Sequence, residues 1–306
     1  MNDQTDNTTE RSAGSGYAFA VGSTFASGLA TVVGKWNLAH ISPLLMNSLI
    51  FLIATIFLSV TLLPARGGIK NVFRLSAKGW FWIAMFVISS LLAVWGYWAG
   101  VQRMDPTLAT FLNRAEVMVA IILGMIFLRE RFTKVETLGV LLSIAGIIVM
   151  RLTLRVEYTS GFWFVLGGAF FFGITEFVSK IAVRYVEPLI LGYIRNMMLA
   201  LLYWIAFGAV GRGFDGLSSV WPGVLALALI GPVAARLMYL TALNKLELSR
   251  VAVISQSQPV FVILIALLAL GQLPTFREIT GGVLLTLGCV IMILSRYTNN
   301  RRLRHS

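Results

Sequence analysis

Charged and amide side chains occur in this chain inside segments that are otherwise strongly apolar. The clearest case is the segment FLNRAEVMVAIILGMIFL, where Asn113, Arg114 and Glu116 precede an uninterrupted apolar stretch. A charge at the centre of a bilayer costs at least ~2.5–3.5 kcal/mol on insertion scales. We therefore expect these side chains to face the interior of a helix bundle, where they bind a solute, exchange a proton or join helices.

Further polar residues lie at comparable depth in other apolar segments. Two amides, Gln256 and Gln258, occur in the segment SQSQP, and isolated charges occur at Glu176, Arg195 and Arg236. With the first segment included, the deep set contains three arginines and two glutamates. A guanidinium that lacks a fixed partner would bind a carboxylate or phosphate on a solute.

The spacing in the first segment limits which of its side chains can interact on a helix. Arg114 and Glu116 are separated by roughly 200° around a helix, and we predict that they do not pair well with each other. Asn113 and Glu116 are three positions apart and share a face. In one interpretation Arg114 holds an anionic group while Glu116 or Glu176 responds to proton or solute binding. In the other, the charges form ion pairs that only lock helices together.

Aromatic residues in the third apolar segment are candidates for the wall of a cavity. Trp95 and Tyr97 lie well inside this segment, and Tyr239 occupies an equivalent place in a later one. Aromatic faces can stack on a solute or cover a cation. We place Trp98 instead in an aromatic belt at the outer membrane surface.

Several kinds of chemistry lack the residues that they need. The sequence contains no Walker A motif, and its two histidines, His40 and His305, lie in a short loop and in the C-terminal tail. The single cysteine, Cys289, lies in an apolar segment. No His, Cys and Asp cluster suggests a metal, and no Ser-His-Asp set suggests hydrolysis. We therefore predict no enzyme activity, no metal and no cofactor.

The composition is that of a protein with many membrane spans. Of 306 residues, 58% are hydrophobic and 12% are charged, against ~45–50% and ~25% in soluble domains. Many apolar segments reach the ~20 residues that a helix needs to cross a bilayer. Their limits predict ten spans, over residues 17–39, 43–63, 78–101, 106–128, 134–152, 161–182, 187–210, 219–243, 249–271 and 275–295.

The basic residues indicate the orientation of these spans. An even number of spans places both termini on one side, and more of the basic residues between spans fall on that side. This distribution predicts cytoplasmic termini. It also accounts for the net charge of +12 without a surface that binds nucleic acid. We expect a disordered cytoplasmic tail over residues 1–16, a basic cytoplasmic tail over 296–306, and a location in the inner (plasma) membrane.

The two halves of the chain resemble each other. One register matches, in order, Gly28, Lys35 and Pro43 to Gly173, Lys180 and Pro188. A second register matches, in order, Tyr97, Gly139, Gly146 and Met150 to Tyr239, Gly281, Gly288 and Met292. Because each half contains five spans, the second half must enter the membrane inverted. We predict an all-α integral membrane protein, with inverted repeats over residues 17–152 and 161–295 around a central cavity.

These features resemble the drug/metabolite transporter superfamily, in its EamA-like branch, over almost the whole chain. The family's fourth and fifth helices are similar to PTLATFLNRAEVMVAIILGMIFLRERFTKVETLGVLLSIAGIIVM, in which Glu130 closes the fourth helix. Its ninth and tenth helices are similar to SRVAVISQSQPVFVILIALLALGQLPTFREITGGVLLTLGCVIMI. The resemblance implies helices around a central cavity, alternating access, export of small metabolites, and a proton or solute gradient as the energy source.

We therefore predict a secondary transporter, and more particularly an exporter, of an amino acid or another small anionic or zwitterionic solute. The expected binding residues are Asn113, Arg114, Glu116, Gln256, Gln258, Glu176, Arg195, Arg236, Trp95, Tyr97 and Tyr239. The expected partners are the solute and the lipid bilayer, with protons as a candidate coupling ion and an oligomeric state that the sequence does not indicate. Two other functions stay open: a non-transporting membrane subunit, for example of a lipid-carrier flippase, and an intramembrane enzyme.

Overall fold

All regular structure in the described part of the chain is helical. The structure is a computed structural model that describes residues 3–61, 76–128, 133–153, 156–182, 185–186, 188–210, 213–246, 248–271 and 274–305. Glu130 and the Lys180 side chain lie outside the part that it describes.

The described α-helices follow the apolar stretches of the sequence. Their bounds are α1 Asp3–Asn37, α2 Pro43–Thr61, α3 Ala77–Arg103, α4 Pro106–Asn113, α5 Ala115–Leu128, α6 Lys134–Thr153, α7 Thr159–Ala182, α8 Pro188–Val210, α9 Leu217–Ala228, α10 Arg236–Lys245, α11 Leu248–Ser255, α12 Gln258–Leu270 and α13 Phe276–His305. A 3₁₀ turn, Val156–Tyr158, precedes α7, and a π-helical segment, Leu229–Ala235, joins α9 to α10. Proline is the first residue of α2, α4 and α8, where a helix does not need its missing N–H.

These helices form ten apolar stretches, numbered here as spans 1 to 10. Within the described residues, nine stretches are long and apolar enough to cross a bilayer, and Ile279–Ser295 is a shorter one. Span 4 consists of α4 and α5, span 8 of α9, the π-helical segment and α10, and span 9 of α11 and α12. The remaining spans 1, 2, 3, 5, 6, 7 and 10 are α1, α2, α3, α6, α7, α8 and α13. The prediction of an all-α integral membrane protein with about ten spans is confirmed.

The disordered tail over residues 1–16 stays a prediction. Helix α1 begins at Asp3, and the part of it that is long and apolar enough to cross a bilayer begins at Gly14.

The contacts between the spans stay the same when the two halves of the chain are exchanged. Span 3 packs along span 6, and its counterpart, span 8, packs along span 1. Spans 2 and 7 pack on each other, as do spans 5 and 10 and spans 4 and 9. Exchange of the halves maps this set of contacts onto itself, as expected for inverted repeats.

Glycines between spans 5 and 10 show the register of this exchange. A Cβ atom on Gly139 would lie 2.8 Å from the carbonyl oxygen of Gly288, and one on Gly146 would lie 2.7 Å from that of Gly281. Gly139 and Gly146 correspond to Gly281 and Gly288 in the sequence, so the two contacts are equivalent. Small residues let the two helix backbones approach each other closely.

A second pair of glycine contacts places spans 4 and 9 in equivalent surroundings. A Cβ atom on Gly28 of span 1 would lie 3.1 Å from Phe261 of span 9, and one on Gly173 of span 6 would lie 2.5 Å from Val119 of span 4. The first register relates Gly28 to Gly173, and the second relates Val119 to Phe261, so the two contacts are equivalent. Spans 4 and 9 therefore lie against spans 6 and 1, respectively.

The outer surface of the bundle is apolar, whereas several polar side chains are buried inside it. Leu268 is 87% exposed and Phe127 is 67% exposed, while Asn113, Arg114 and Gln256 are buried. Exposed apolar surface of this extent suits contact with lipid. The arrangement directs the polar groups of spans 4 and 9 towards other helices.

Candidate functional site

Span 4 is broken at Arg114. Helix α4 ends at Asn113, and the N–H of Arg114 donates to the carbonyl oxygen of Phe111 at 3.0 Å. This bond spans three residues, as in a 3₁₀ turn, and not four as in an α-helix. Helix α5 starts at Ala115. The break therefore changes the direction of the polar side chains relative to a continuous helix.

Span 9 is broken at the corresponding place. Helix α11 ends at Ser255 and α12 begins at Gln258. Pro259, the second residue of α12, has no N–H to donate to the preceding turn. In the register that joins the two halves, Arg114 corresponds to Gln256, so the two breaks occupy equivalent positions.

Arg114 joins the two breaks in the protein interior. Its Nη1 donates to the carbonyl oxygen of Ser255 at 3.1 Å, and its Nη2 donates to Oε1 of Gln258 at 3.0 Å. Arg114 is only 5% exposed. The last carbonyl groups of a helix lack partners within it. A charged donor from span 4 thus satisfies one such carbonyl at the end of α11.

The prediction that Arg114 and Glu116 do not pair is wrong. Nη2 of Arg114 lies 3.5 Å from Oε1 of Glu116, and Nδ2 of Asn113 donates to Oε2 of Glu116 at 3.1 Å. The expected separation of roughly 200° holds for a continuous helix. Here the break lies between the two charges and brings them to one side.

Three polar atoms of this cluster are buried without a hydrogen-bond partner in the described residues: Asn113 Oδ1, Arg114 Nε and Gln256 Oε1. Buried polar atoms nearly always have a partner, which is protein or water. These atoms are therefore available to polar groups of a solute or to water.

Glu176, Arg195 and Arg236 form a second group beside the first. Glu176 lies in span 6, and its charge acts on both Glu116 and Arg195. Arg195 of span 7 and Arg236 of span 8 line one cleft. The deep charges identified in the sequence thus lie in one electrostatically connected region.

Two tyrosines adjoin these charged groups. The hydroxyl of Tyr97 lies 3.0 Å from Oγ1 of Thr31, which links spans 3 and 1. The ring of Tyr239 lies beside Arg236, with 5.6 Å between its centroid and the guanidinium carbon. The charges of Arg114 and Glu116 act on both tyrosines. Both predicted tyrosines therefore lie close to the polar cluster.

The two tryptophans of span 3 differ from their predicted places. Trp95 is 44% exposed and packs edge-on against Phe164, so the structure does not bring it to the polar cluster. Trp98 is buried, and its assignment to an outer aromatic belt is wrong. The absence of a side chain at Gly34 leaves the space that the Trp98 ring fills, because a Cβ atom there would overlap the ring.

Three residues that contact the candidate site were not predicted. Ser90 accepts a hydrogen bond from Nε of Arg195 at 2.9 Å, Thr31 contacts Tyr97, and Asn196 lines the same cleft as Arg195. Serine and threonine often bond to the backbone of their own membrane helix, so their presence carries little signal. Asn196 was detectable as an amide directly after a deep arginine.

The donor set of the site suits an organic solute. Its donors are guanidinium, amide and phenol groups, which bind carboxylates and phosphates, and its carboxylates accept from ammonium groups. In the ranges that the structure describes, no group of three or more His, Cys, Asp or Glu side chains could hold a metal ion.

The fold and site define a class: a polytopic membrane protein built from two repeats, with polar groups at broken helices, as in secondary transporters. The chain belongs to the EamA-like transporter family, which matches residues 14–152 and again residues 159–294. Each half of the chain therefore matches the family separately, in agreement with the internal repeat.

Individual relatives agree with this assignment. An uncharacterized transporter of Synechocystis sp. is 23% identical over 72% of this chain and 67% of its own length. An uncharacterized transporter of Archaeoglobus fulgidus is 24% identical over 88% of this chain and 95% of its own, and protein RarD of Escherichia coli is 26% identical over 66% of each. A solved crystal structure shares the fold with a TM-score of 0.64 and 18% identity, over 93% of this chain and 98% of that one.

Proposed function

We propose that this protein is a secondary transporter that exports a small organic metabolite across the inner membrane by alternating access, with both termini in the cytoplasm. The observation that carries this proposal is the pair of broken spans, 4 and 9, which meet at equivalent positions and are joined by Arg114. Discontinuous helices at the interface of two repeats are typical of solute sites in transporters. Membership of the EamA-like family supports membrane transport.

The junction between the breaks offers a physical link between binding and conformational change. Arg114 connects α4 to both sides of the break in span 9 through Ser255 and Gln258. A solute that binds the unpartnered atoms of Asn113, Arg114 and Gln256 would interact directly with this junction. Such a solute shifts the equilibrium between conformations if it binds one arrangement of the junction more tightly.

The surrounding charges favour an amino acid or another anionic or zwitterionic solute. The deep set contains three arginines and two glutamates, and within the described residues only Arg114 of these arginines forms an ion pair, with Glu116. Glu116 and Glu176 are the carboxylates that would respond to a bound proton or to an ammonium group. Their charges act on each other, so a change at one alters the other.

Transport by the purified protein in liposomes tests this proposal. Vesicles loaded with unlabelled amino acids are diluted into the same labelled amino acids, and counterflow is measured. Wild type should accumulate label, and Arg114→Gln should abolish counterflow while the protein keeps a cooperative thermal transition. Arg151→Gln is the control, because it removes the same charge from an arginine outside the proposed site. Arg151 lies in the last turn of α6, and its guanidinium carbon is 5.9 Å from the centroid of the Phe162 ring. Full counterflow by Arg114→Gln would contradict the role of the junction.

A folding defect can be separated from a transport defect. If Arg114→Gln alone does not fold, the paired variant Arg114→Gln/Glu116→Gln removes both charges and avoids an unpaired buried carboxylate. Loss of counterflow in that folded variant would assign the transport role to the pair of Arg114 and Glu116 rather than to Arg114 alone.

A further inference from the structure

Two arginines line one cleft between spans 2, 7 and 8. Its walls include Leu58 of span 2, Arg195 and Asn196 of span 7, and Pro232 and Arg236 of span 8. The two guanidiniums are close enough for each charge to act on the other. Like charges at close range repel each other, so this arrangement is unfavourable unless an anion lies nearby.

Arg195 is held by neutral groups. Its Nε donates to Oγ of Ser90 at 2.9 Å, and its Nη1 lies 3.4 Å from Oδ1 of Asn196. The rings of Phe51 and Phe86 lie at 5.6 and 5.8 Å from its guanidinium carbon. These contacts fix the orientation of the guanidinium and leave Nη2 without a described protein acceptor.

Arg236 has even fewer partners. Its Nε is buried and has no hydrogen-bond partner among the described residues, and its guanidinium lies beside the Tyr239 ring. No described carboxylate forms an ion pair with either arginine of the cleft. Glu176 is a carboxylate whose charge acts on Arg195.

The local backbone and the internal repeat both single out this cleft. The π-helical segment Leu229–Ala235 ends directly before Arg236, and such segments are frequent at functional sites. In the two registers of the repeat, Arg195 corresponds to Ile50 and Arg236 corresponds to Val94. The first half therefore has apolar residues where the second half has guanidiniums, so the repeat itself does not require these charges.

We infer that Arg195, Arg236 and the amide of Asn196 form a subsite for an oxyanion of the solute, a carboxylate or a phosphate, and that Glu176 is the resident counter-ion when the solute is absent. Two guanidiniums supply the paired N–H donors that such groups prefer. The inference rests on the proposed function only in assigning the oxyanion to a transported solute. The inference gives the two groups of residues different roles, because Arg114 joins the broken helices while the cleft binds the anionic group.

Equilibrium binding tests the subsite without requiring transport. The probes are succinate and inorganic phosphate, with neutral succinamide as the matched control, each titrated by calorimetry against the protein in nanodiscs of phosphatidylcholine. Saturable binding of succinate or phosphate, but not of succinamide, is the expected result. Arg195→Gln and Arg236→Gln should each weaken that binding roughly tenfold to a hundredfold, and Arg151→Gln should leave it unchanged. Arg195→Lys should retain part of the affinity, because it keeps the charge and loses the planar fork.

Glu176→Gln separates a counter-ion from a structural residue. Removal of a competing carboxylate should tighten binding of the anion, whereas loss of a purely structural carboxylate would leave the affinity unchanged or reduce it. Absence of saturable anion binding to wild type would overturn the inference, as would wild-type affinity in both arginine variants.

Two further outcomes separate the possible sources of the oxyanion and the two proposals. If titrated phosphatidylglycerol binds the cleft and the soluble anions do not, the oxyanion belongs to a lipid headgroup, and the solute assignment is wrong. Anion binding that depends on both arginines, without counterflow of any anion, would keep the subsite and refute the proposed transport. Counterflow of a neutral solute without anion binding would refute the subsite and support the proposed transport.

Discussion

Neutralisation of Arg114 and Glu116, singly and together, measures how strongly the pair at the break in span 4 is coupled. Nη2 of Arg114 lies 3.5 Å from Oε1 of Glu116, and the two side chains are 6% and 17% exposed. Glutamine at either position keeps hydrogen-bonding atoms and removes the charge. The four proteins of this double-mutant cycle therefore differ mainly in the ion pair.

The distance and burial set the expected magnitude. At 3.5 Å, the gross Coulomb attraction is about 4–5 kcal/mol for an effective dielectric constant of ~20. Desolvation of both charges offsets most of this attraction. Removal of one partner leaves the other charge buried, so each single variant should lose about 3–5 kcal/mol of unfolding free energy. The double variant should lose less than the sum of the single losses, by about 1–3 kcal/mol.

Unfolding in mixed micelles of dodecyl maltoside, titrated with sodium dodecyl sulfate, provides the free energies. A parallel cycle with Glu116→Gln and Arg151→Gln serves as the control and should be additive within ~0.5 kcal/mol. Additivity of Arg114→Gln and Glu116→Gln to the same precision would refute the coupling. In that case Arg114 would be held by Ser255 and Gln258 alone.

Two further predictions concern the scaffold, and thermal unfolding of the purified variants checks both. Gly168→Ala should destabilise the protein by about 1–3 kcal/mol, because its Cβ would lie 2.7 Å from the backbone nitrogen of Tyr97. A Cβ on Gly167 would meet no atom of the described residues within 4 Å, so Gly167→Ala should be neutral or stabilising. Equal effects of the two alanines would contradict the close packing of spans 3 and 6. Lys35→Met should cost about 1.5–3 kcal/mol, because Nζ donates to three carbonyl oxygens at the end of α3, at 2.9–3.1 Å. Lys245→Met removes one bond from an exposed ammonium to Oγ of Ser15 and its contact with the Phe19 ring, and should cost less than ~1 kcal/mol; a larger loss there than at Lys35 would contradict this ranking.

The fold was predictable because its main signals are long and repeated. Apolar stretches mark the spans, and the glycines at 139, 146, 281 and 288 have equivalent contacts in the structure, as their shared register predicts. The depth of the charges was also readable, since the cost of a charge in lipid forces it inward. Periodicity and depth therefore predict where the polar groups lie along the spans.

Pairwise contacts within the site were less predictable, because they depend on departures from regular helix geometry. The pair of Arg114 and Glu116 exists because span 4 is broken, and no proline marks that break, unlike the break beside Pro259 in span 9. The place of Trp98 depends on the space above Gly34 in another span. Sequence spacing contains neither piece of information, since both arise from tertiary packing.

The two halves of this chain are alike in backbone and unlike in charge. Arg114 corresponds to Gln256 at the two breaks, and Arg195 corresponds to Ile50, whereas the glycine contacts between spans 5 and 10 are equivalent. A backbone of two similar inverted halves can exchange their roles, and this exchange would open the protein to either side of the membrane. The arginines of the cleft belong only to the second half, so under the proposed function the charge that would bind an anion would move with that half. Under the proposed function, the shared backbone thus provides the conformational change, and the unmatched side chains provide selectivity.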